Sequence, residues 1–473
     1  MAQSSDRASS VLPAPSSGFE LRDWLINLEH SGRLAVARDN LDLNFEVAGI
    51  ANRLDGKRAS IFPHPSGHRG TVISGLLSNR AWMAEALGTT QDKLIKTFQN
   101  SVREPIAPVV VSEAPCREIV HEGNFDLRDI LPIPTHNEHD SGAYITAGIT
   151  ICRNPETGIQ NMAIHRLQIS GPRLLGALLL PRDTLSYFKR AEAVGNDLDV
   201  AIVIGVSPAC LLASQAIVPE NFDEMGVAGA LMGAPLPVIR CIGSELLVPA
   251  FAEIVIEGRL LSQARAPEGP FGEFPQYYGE RADRHVIEID RVTHRENPLF
   301  HTIVGGGLEH LLLGGIPREA TLLSVLQRSF SNVTDVHLSK GGVCRYHLYI
   351  QIDKPAPGQV KNVILGALAA HYDVKHVTVV DRDVDVHDPQ MVEWAFATRF
   401  QADRDLVIVT DAQGSKLDPS TEKGVGAKMG FDATVPPNSD PFRFKRIRVP
   451  GELEIDLASV IEEGRAAADL LGA

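Results

Sequence analysis

A change of apolar rhythm along the chain limits the fold more than any other feature. From about residue 130 to 300, apolar residues fall in strand-length runs. "GAYITAGITICRN" alternates and ends in the turn "NPETG". "QNMAIHRLQIS", "DVAIVIGV", "CIGSELLVPAFAEIVIEGRL" and "HVIEIDRVTHREN" are further strands, and "PRDTLSYFKRAEAVG" is a helix. Many strands with few helices predict a barrel or sandwich-like middle domain. Beyond about residue 320, strands ("YHLYIQID", "HVTVVD", "DLVIVTD") alternate with helices. "GQVKNVILGALAAHY" sets Val360, Val363, Ile364, Ala367 and Leu368 on one face, and "DPQMVEWAFATRF" opens with Asp388 as cap and Pro389 in its first turn. That alternation predicts βαβ units. Upstream, "ELRDWLINLEHSGRL" has helical spacing at Leu21, Trp24, Leu25 and Leu28, and the Pro-bounded "EPIAPVVVSEAP" reads as a connector. The terminal stretch 454–472 reads as an amphipathic helix, for a partner subunit or for its own chain.

The expected class is therefore α/β (α+β): a tail at 1–18, an N-terminal α/β domain at 19–120, a central β-rich domain at 121–315 and a C-terminal α/β domain at 316–473. Hydrophobic residues make up 44% and charged residues 22%, a balance that supports a large core. Forty-five basic against 59 acidic residues leave a net charge of −14, which argues against a nucleic-acid or anionic-membrane partner. The five cysteines are scattered, so no zinc ribbon or redox pair is visible, and the set suits a reducing cytoplasm. The Ser/Pro-rich start lacks the apolar core of a signal peptide. Apolar runs such as "LLGALLL" are too short to span a bilayer.

Four stretches carry candidate chemistry. "APEGPFGEFPQYYGE" (266–280) places Glu268 and Glu273 around a Gly-Pro-Phe-Gly bend. The bend reads as a solvated acidic turn, or as a device that brings two carboxylates to one side of a poorly solvated site, where their proton affinities diverge. "QNMAIHRLQ" holds Asn161 and His165 on one strand face and Arg166 on the other. Arg166 reads as a clamp for a carboxylate, or as an ordinary surface residue. "KGVGAKMGFDAT" reads as a weak glycine–lysine phosphate loop without the Walker spacing, and "VGGGLEHLLLGG" as a loop lining a pocket. "PENFDEMG" is an acid-dense loop, and becomes a metal candidate only where other ligands converge.

Taken in order, "NMAIHR", "EGPFGEFPQYYGE" and "GVGAKMGFDAT" resemble the motifs of the UbiD family of reversible carboxy-lyases, over nearly the whole chain after the tail. The resemblance implies a central split β-barrel-like domain that binds prenylated FMN, with a divalent ion (Mn2+ or Mg2+) and K+ nearby, and a C-terminal oligomerisation domain. It implies Arg166, Glu268 and Glu273 as a catalytic network. It places Thr146, Ala163, Ile164, His165, Arg182, Ala213, Ser214 and Lys428 at the cofactor, and Asn161, Asp183 and Glu224 at the metal. Asp183 stands where the family usually has a histidine, so either Asp183 ligates or the loop is shifted by a residue. By the same resemblance His310, Leu312 and Leu313 line the substrate pocket.

The implied activity is decarboxylation of an aromatic, heteroaromatic or α,β-unsaturated carboxylic acid, releasing CO2, with Glu273 as proton donor. Its partners would be the acid substrate, a flavin prenyltransferase that supplies the cofactor, and a second copy in a homodimer or larger assembly. Two other readings compete: a split-barrel flavin-dependent oxidoreductase, and a non-catalytic flavin-binding subunit of a decarboxylase.

Overall fold

The computed structural model describes residues 20–440, 442–461 and 471. The expected tail and most of the expected terminal helix lie outside them. Helix Leu21–His30 buries Leu21, Trp24, Leu25 and Leu28, the four residues whose spacing predicts it. Behind it a four-stranded sheet runs Leu34–Val36, Ala59–Phe62, Thr71–Ser74 and Leu299–His301. The fourth strand comes from more than 200 residues downstream and pairs in parallel with Thr71–Ser74. The stretch read as a connector also enters a sheet: Val109–Val110 pairs with Pro237–Arg240.

The β-rich middle is a nine-stranded sheet. Its path runs Tyr144–Ile145, Leu167–Gly171, Leu174–Ala177, Ala282–His294, Ile254–Glu268, Leu198–Ile204, Ile149–Arg153 and Gln160–Ile164, with Ile119–Glu122 paired to Ala282–His294. Strand pairing leaves this path open. One end is Gln160–Ile164, and the chain passes from it through His165 and Arg166 into Leu167–Gly171, beside the other end. Arg166 therefore sits where the covalent chain spans the gap in the sheet. Ile149, Ile151, Met162, Ala201 and Val203 face one apolar cluster, and Cys152, Val200, Ile202, Ile254 and Ile256 face another, as the period-2 alternation requires.

The C-terminal sheet runs Val333–Leu338, His347–Ile352, His376–Asp381, Val425–Ala433 and Leu406–Gln413. Helix Gln359–Ala370 connects two parallel strands and buries the five predicted residues. Its largest aliphatic side chains each contribute about 1.5–3 kcal/mol on burial. Helix Pro389–Arg399 is capped by Asp388, which accepts from the backbone N–H of Gln390 and Met391.

Two stretches read as loops fold otherwise. "VGAKMGFDA" is strand Val425–Ala433. Its glycines serve packing: a Cβ on Gly430 would lie 2.1 Å from Ile364 Cγ2. "LEHLLLGG" opens helix Leu308–Ser329, whose first N–H is accepted by Asp55. The interior Gly314 admits a neighbour, since its Cβ would lie 1.7 Å from Arg345 Nη2. All five cysteines are free and buried. Among the described residues, no helix is long and apolar enough to cross a membrane.

Candidate active site

Strand Ile254–Glu268 delivers Glu268 at its last residue, fully buried. The chain turns at Gly269 (φ +88°) and cis-Pro270 into the short strand Phe271–Gly272, which pairs with Tyr278–Gly279. That hairpin presents Glu273, whose N–H donates to Tyr277 O at 2.9 Å. Arg166 arrives from the gap in the sheet and joins the two acids. Its Nη2 donates to Glu268 Oε2 at 2.7 Å and its Nη1 donates to Glu273 Oε1. The guanidinium carbon lies 5.3 Å from the centre of the Phe271 ring. Gly279 leaves room for it, because a Cβ there would come within 2.9 Å of Arg166 Nη1.

This arrangement is not a solvated turn. Glu268 is 0% and Glu273 8% exposed. Burial raises the Glu273 pKa above the ordinary carboxylate value, and the attraction of Arg166 offsets only part of that rise. Burial also works against the charge on Arg166, but Glu273 and Glu268 outweigh it and hold the guanidinium protonated. The site thus combines a permanent cation with two acids in unlike surroundings, the condition under which one carboxyl keeps a proton near neutrality.

Around it lie residues without a local sequence signal. Tyr144, 0% exposed, sends its hydroxyl toward Glu268 Oε1 at 3.2 Å. Gln168 accepts from Gly269 N–H at 3.0 Å and donates to Ser141 O at 2.8 Å. Asp140 accepts from Gly272 N–H at 2.8 Å. Together they pin both ends of the bend.

The other candidates fall into three groups. Asn161 Nδ2 donates to Thr184 Oγ1 at 3.0 Å, and His165 Nε2 reaches the same hydroxyl at 3.1 Å, so both share the face expected of them. Burial, with Arg182 nearby, pushes His165 down to about 4, so its imidazole is neutral. Thr146 Oγ1 lies 3.1 Å from Thr302 Oγ1 and accepts from Ile303 N–H at 2.9 Å. Ala163 and Ile164 pair with Thr150 and Ile149 in the sheet. Ala213 and Ser214 are buried at the end of helix Pro208–Ala213, where Ser214 Oγ donates to Leu211 O.

Glu224, at the start of helix Glu224–Met232, is 3% exposed and accepts from Met162 N–H at 3.1 Å. Burial pushes it up to about 8, with Asp223 and Asp183 adding to the rise. Asp183 begins helix Asp183–Ala193, and burial and Glu220 raise its pKa as well. Among the described residues, no group of three or more His, Cys, Asp or Glu is arranged to hold a metal ion. What is present is two carboxylates and an amide. A buried carboxylate that lacks a counter-cation fits a hard cation in its donor chemistry.

The third group is cationic. Lys428 is 6% exposed and donates from Nζ to Leu368 O and Tyr372 O at 3.1 and 3.0 Å. Burial pushes His371 down to about 3, followed by the charges of Arg318, Arg182, Arg345 and Lys428. Burial and Arg318 push Arg345 down to about 9. Asp373 is the acid common to Arg318, Arg345 and Lys428. Four cations thus share a region with little negative charge. One of them stands next to the catalytic candidates: the Arg345 guanidinium lies 5.3 Å from the Phe274 ring centre, and the His310 ring lies 6.4 Å from it. Phe274 directly follows Glu273. His310 accepts from Gly306 N–H at 3.2 Å, and burial pushes it down to about 3. Leu312 and Leu313 are 2% and 3% exposed and belong to the main apolar cluster. A small cleft opens beside Tyr346, Tyr372, Asp373 and Lys428.

Comparison with known proteins places these features in a family. Residues 25–102, 108–308 and 311–433 match the N-terminal, Rift-related and C-terminal domain models of 3-octaprenyl-4-hydroxybenzoate carboxy-lyase. The anhydromevalonate phosphate decarboxylase of Methanothermobacter thermautotrophicus is 38% identical over 402 residues, covering 85% of this chain and 94% of that protein. The UbiD-class enzyme HmfF from Pelotomaculum thermopropionicum, in complex with FMN, superposes with a TM-score of 0.91 at 45% identity, covering 93% of this chain and 100% of that one. An evolved dimeric form of HmfF in complex with prFMN gives 0.88 at 42% identity, over 94% and 100%.

Proposed function

The chain belongs to the UbiD family of carboxy-lyases, and on that premise we propose that it decarboxylates an aromatic, heteroaromatic or α,β-unsaturated acid that bears a second anionic group. The observation that carries the reading is the guanidinium of Arg166 held between two buried glutamates of unlike surroundings. Glu273 is the proton donor. Burial raises its pKa and so favours the protonated form, and its place on the hairpin makes it the more accessible of the two acids. When the substrate's carboxylate leaves as CO2, Glu273 returns a proton to the same carbon and is then reprotonated from solvent. Arg166 holds both carboxylates in register. A positioned general acid of this kind supplies roughly 10²–10⁴-fold.

The cofactor is prenylated FMN, as HmfF is found with FMN or prFMN. When bound, it supplies the sink for the electron pair that carbon dioxide leaves behind, which no ordinary side chain can take up. Lys428 and Arg182 offer positive charge for its phosphate. Asn161, Asp183 and Glu224 offer oxygen donors for Mn2+ or Mg2+, and the Ala213–Ser214 backbone offers carbonyl oxygens for K+. A flavin prenyltransferase supplies the cofactor, and the chain acts as a homodimer or larger assembly.

The second anionic group follows from Arg345 and His310, which flank Phe274 next to Glu273, and from Arg318, which shares Asp373 with Arg345 and bears on His310. A charged hydrogen bond to such a group is worth about 1.5–3 kcal/mol, or roughly 10–150-fold in affinity. The test is a substrate panel on chain co-expressed with a flavin prenyltransferase. It pairs flat ring diacids such as furan-2,5-dicarboxylate with their monoacids. The expected result is CO2 release with diacids favoured at least tenfold in kcat/KM, and loss of that preference in Arg345→Met. Monoacids favoured over diacids would sink the anion reading. No CO2 from any acid, despite a bound prenylated-flavin spectrum, would sink the decarboxylase reading.

A further inference from the structure

The geometry points to Tyr144 as a positioning residue that fixes the shared proton of the Glu268–Glu273 pair on Glu273. The inference rests on the role proposed for that pair.

The argument is an accounting of donors. The Tyr144 hydroxyl has one proton and three acceptors in reach: Glu268 Oε1 at 3.2 Å, Gln168 Oε1 at 3.2 Å and Pro270 O at 3.4 Å. Two of these are already served. Gln168 Oε1 accepts from Gly269 N–H, and the Gln168 amide is oriented by its donation to Ser141 O. Pro270 O accepts from Ser141 N–H at 3.0 Å. Glu268 Oε1 is the acceptor in need, so the hydroxyl donates there. Glu268 Oε2 already takes Arg166 Nη2. Both oxygens of the fully buried Glu268 then accept from donors, an arrangement that a carboxylate uses better than a carboxylic acid does. Glu273 accepts from Arg166 Nη1 and from the Phe274 backbone N–H, and among the described residues no hydroxyl donates to it. Burial, and then the charge of Glu268, raise the Tyr144 pKa, so the phenol remains a donor throughout the working range. The titratable and charged groups that bear on the pair are Arg166, Tyr144 and, through Gly272 and beside Arg166, Asp140.

Tyr144→Phe removes the hydroxyl and keeps the ring, whose centre lies 4.5 Å from that of Phe271. The first measurement needs neither substrate nor cofactor. In infrared difference spectra of the full chain, parent minus variant, a protonated-carboxyl stretch distinct from that of Glu224 is lost with Glu273→Gln. In the Tyr144→Phe background it disappears with Glu268→Gln instead. A band that follows Glu273 in both backgrounds, or Glu268 in both, overturns the proposal. The second measurement uses cofactor-loaded enzyme. The active state places the proton on Glu273. With the donor gone, the proton sits on the wrong acid. The expected result is kcat at least tenfold lower and the alkaline limb of its pH profile moved up by about one unit. Replacing Tyr144 by 3-fluorotyrosine, a stronger donor of similar shape, moves the limb down. An equal loss at every pH, with the limb unmoved, marks a merely structural role and overturns the proposal. An absence of decarboxylation in the parent chain would leave the infrared result standing, so the two failures are separable.

Discussion

Replacing Glu319 by Gln tests how the long helix is anchored. Glu319, in helix Leu308–Ser329, is 1% exposed. It accepts from Arg80 Nη1 at 2.6 Å and Leu338 N–H at 2.8 Å, and it lies 2.9 Å from His337 Nδ1. These bonds tie the N-terminal helix Arg80–Ala86 and the C-terminal strand Val333–Leu338 to the helix that carries His310 and Arg318. Burial works to raise the Glu319 pKa, but Arg80 and His337 outweigh it and lower the value from 4.5 to about 2. At about 1.4 kcal/mol per pH unit, that gap corresponds to about 3 kcal/mol of stability. The cost of removing one partner of a buried ion pair, about 3–5 kcal/mol, agrees with it.

The folded value lies below the unfolded one, so the contribution is complete above 4.5 and is lost as the pH falls toward 2. Urea unfolding followed by tryptophan fluorescence reads it, since Trp82 lies in the same helix as Arg80. We expect Glu319→Gln to unfold with about 3 kcal/mol less free energy at pH ~7, the difference narrowing to about 2 kcal/mol at pH ~3.5. A neutral-pH difference below about 1 kcal/mol, or one that widens in acid, would refute the reasoning.

Three further outcomes are expected. Glu273→Gln lowers kcat by roughly 10²–10⁴-fold while the bound-flavin absorbance stays near that of the parent; full turnover would remove Glu273 from the acid role. Lys428→Ala lowers cofactor occupancy of purified protein, read from the flavin-to-protein absorbance ratio, and an unchanged ratio would count against phosphate binding there. Gly305→Ala drives a Cβ to within 2.2 Å of Gly272 O, a backbone atom beside Glu273. It should cost about 1–3 kcal/mol and lower kcat, both measurable by thermal unfolding and CO2 release; parent-like values in both would mean the turn can shift freely.

Periodicity and chain order determined a good deal by themselves. The buried faces of Leu21–His30 and Gln359–Ala370, and the Asp388 cap, follow from spacing that neighbouring residues impose on one another. The three ordered motifs carried the family, because each records a local backbone demand. Local signals also misled: glycines around Lys428 and in "LLLGG" suggest loops, yet they sit in a strand and a helix to admit Ile364 and Arg345. Only tertiary structure decided whether Glu268 and Glu273 face water, because Arg166, Tyr144 and Asp140 come from more than 100 residues away. The same holds for the crowding of Arg182, Arg318, Arg345 and Lys428 about His371. Proton affinity and charge balance depend on distances through space, and a linear spacing carries no information about groups that the fold gathers from separate sheets.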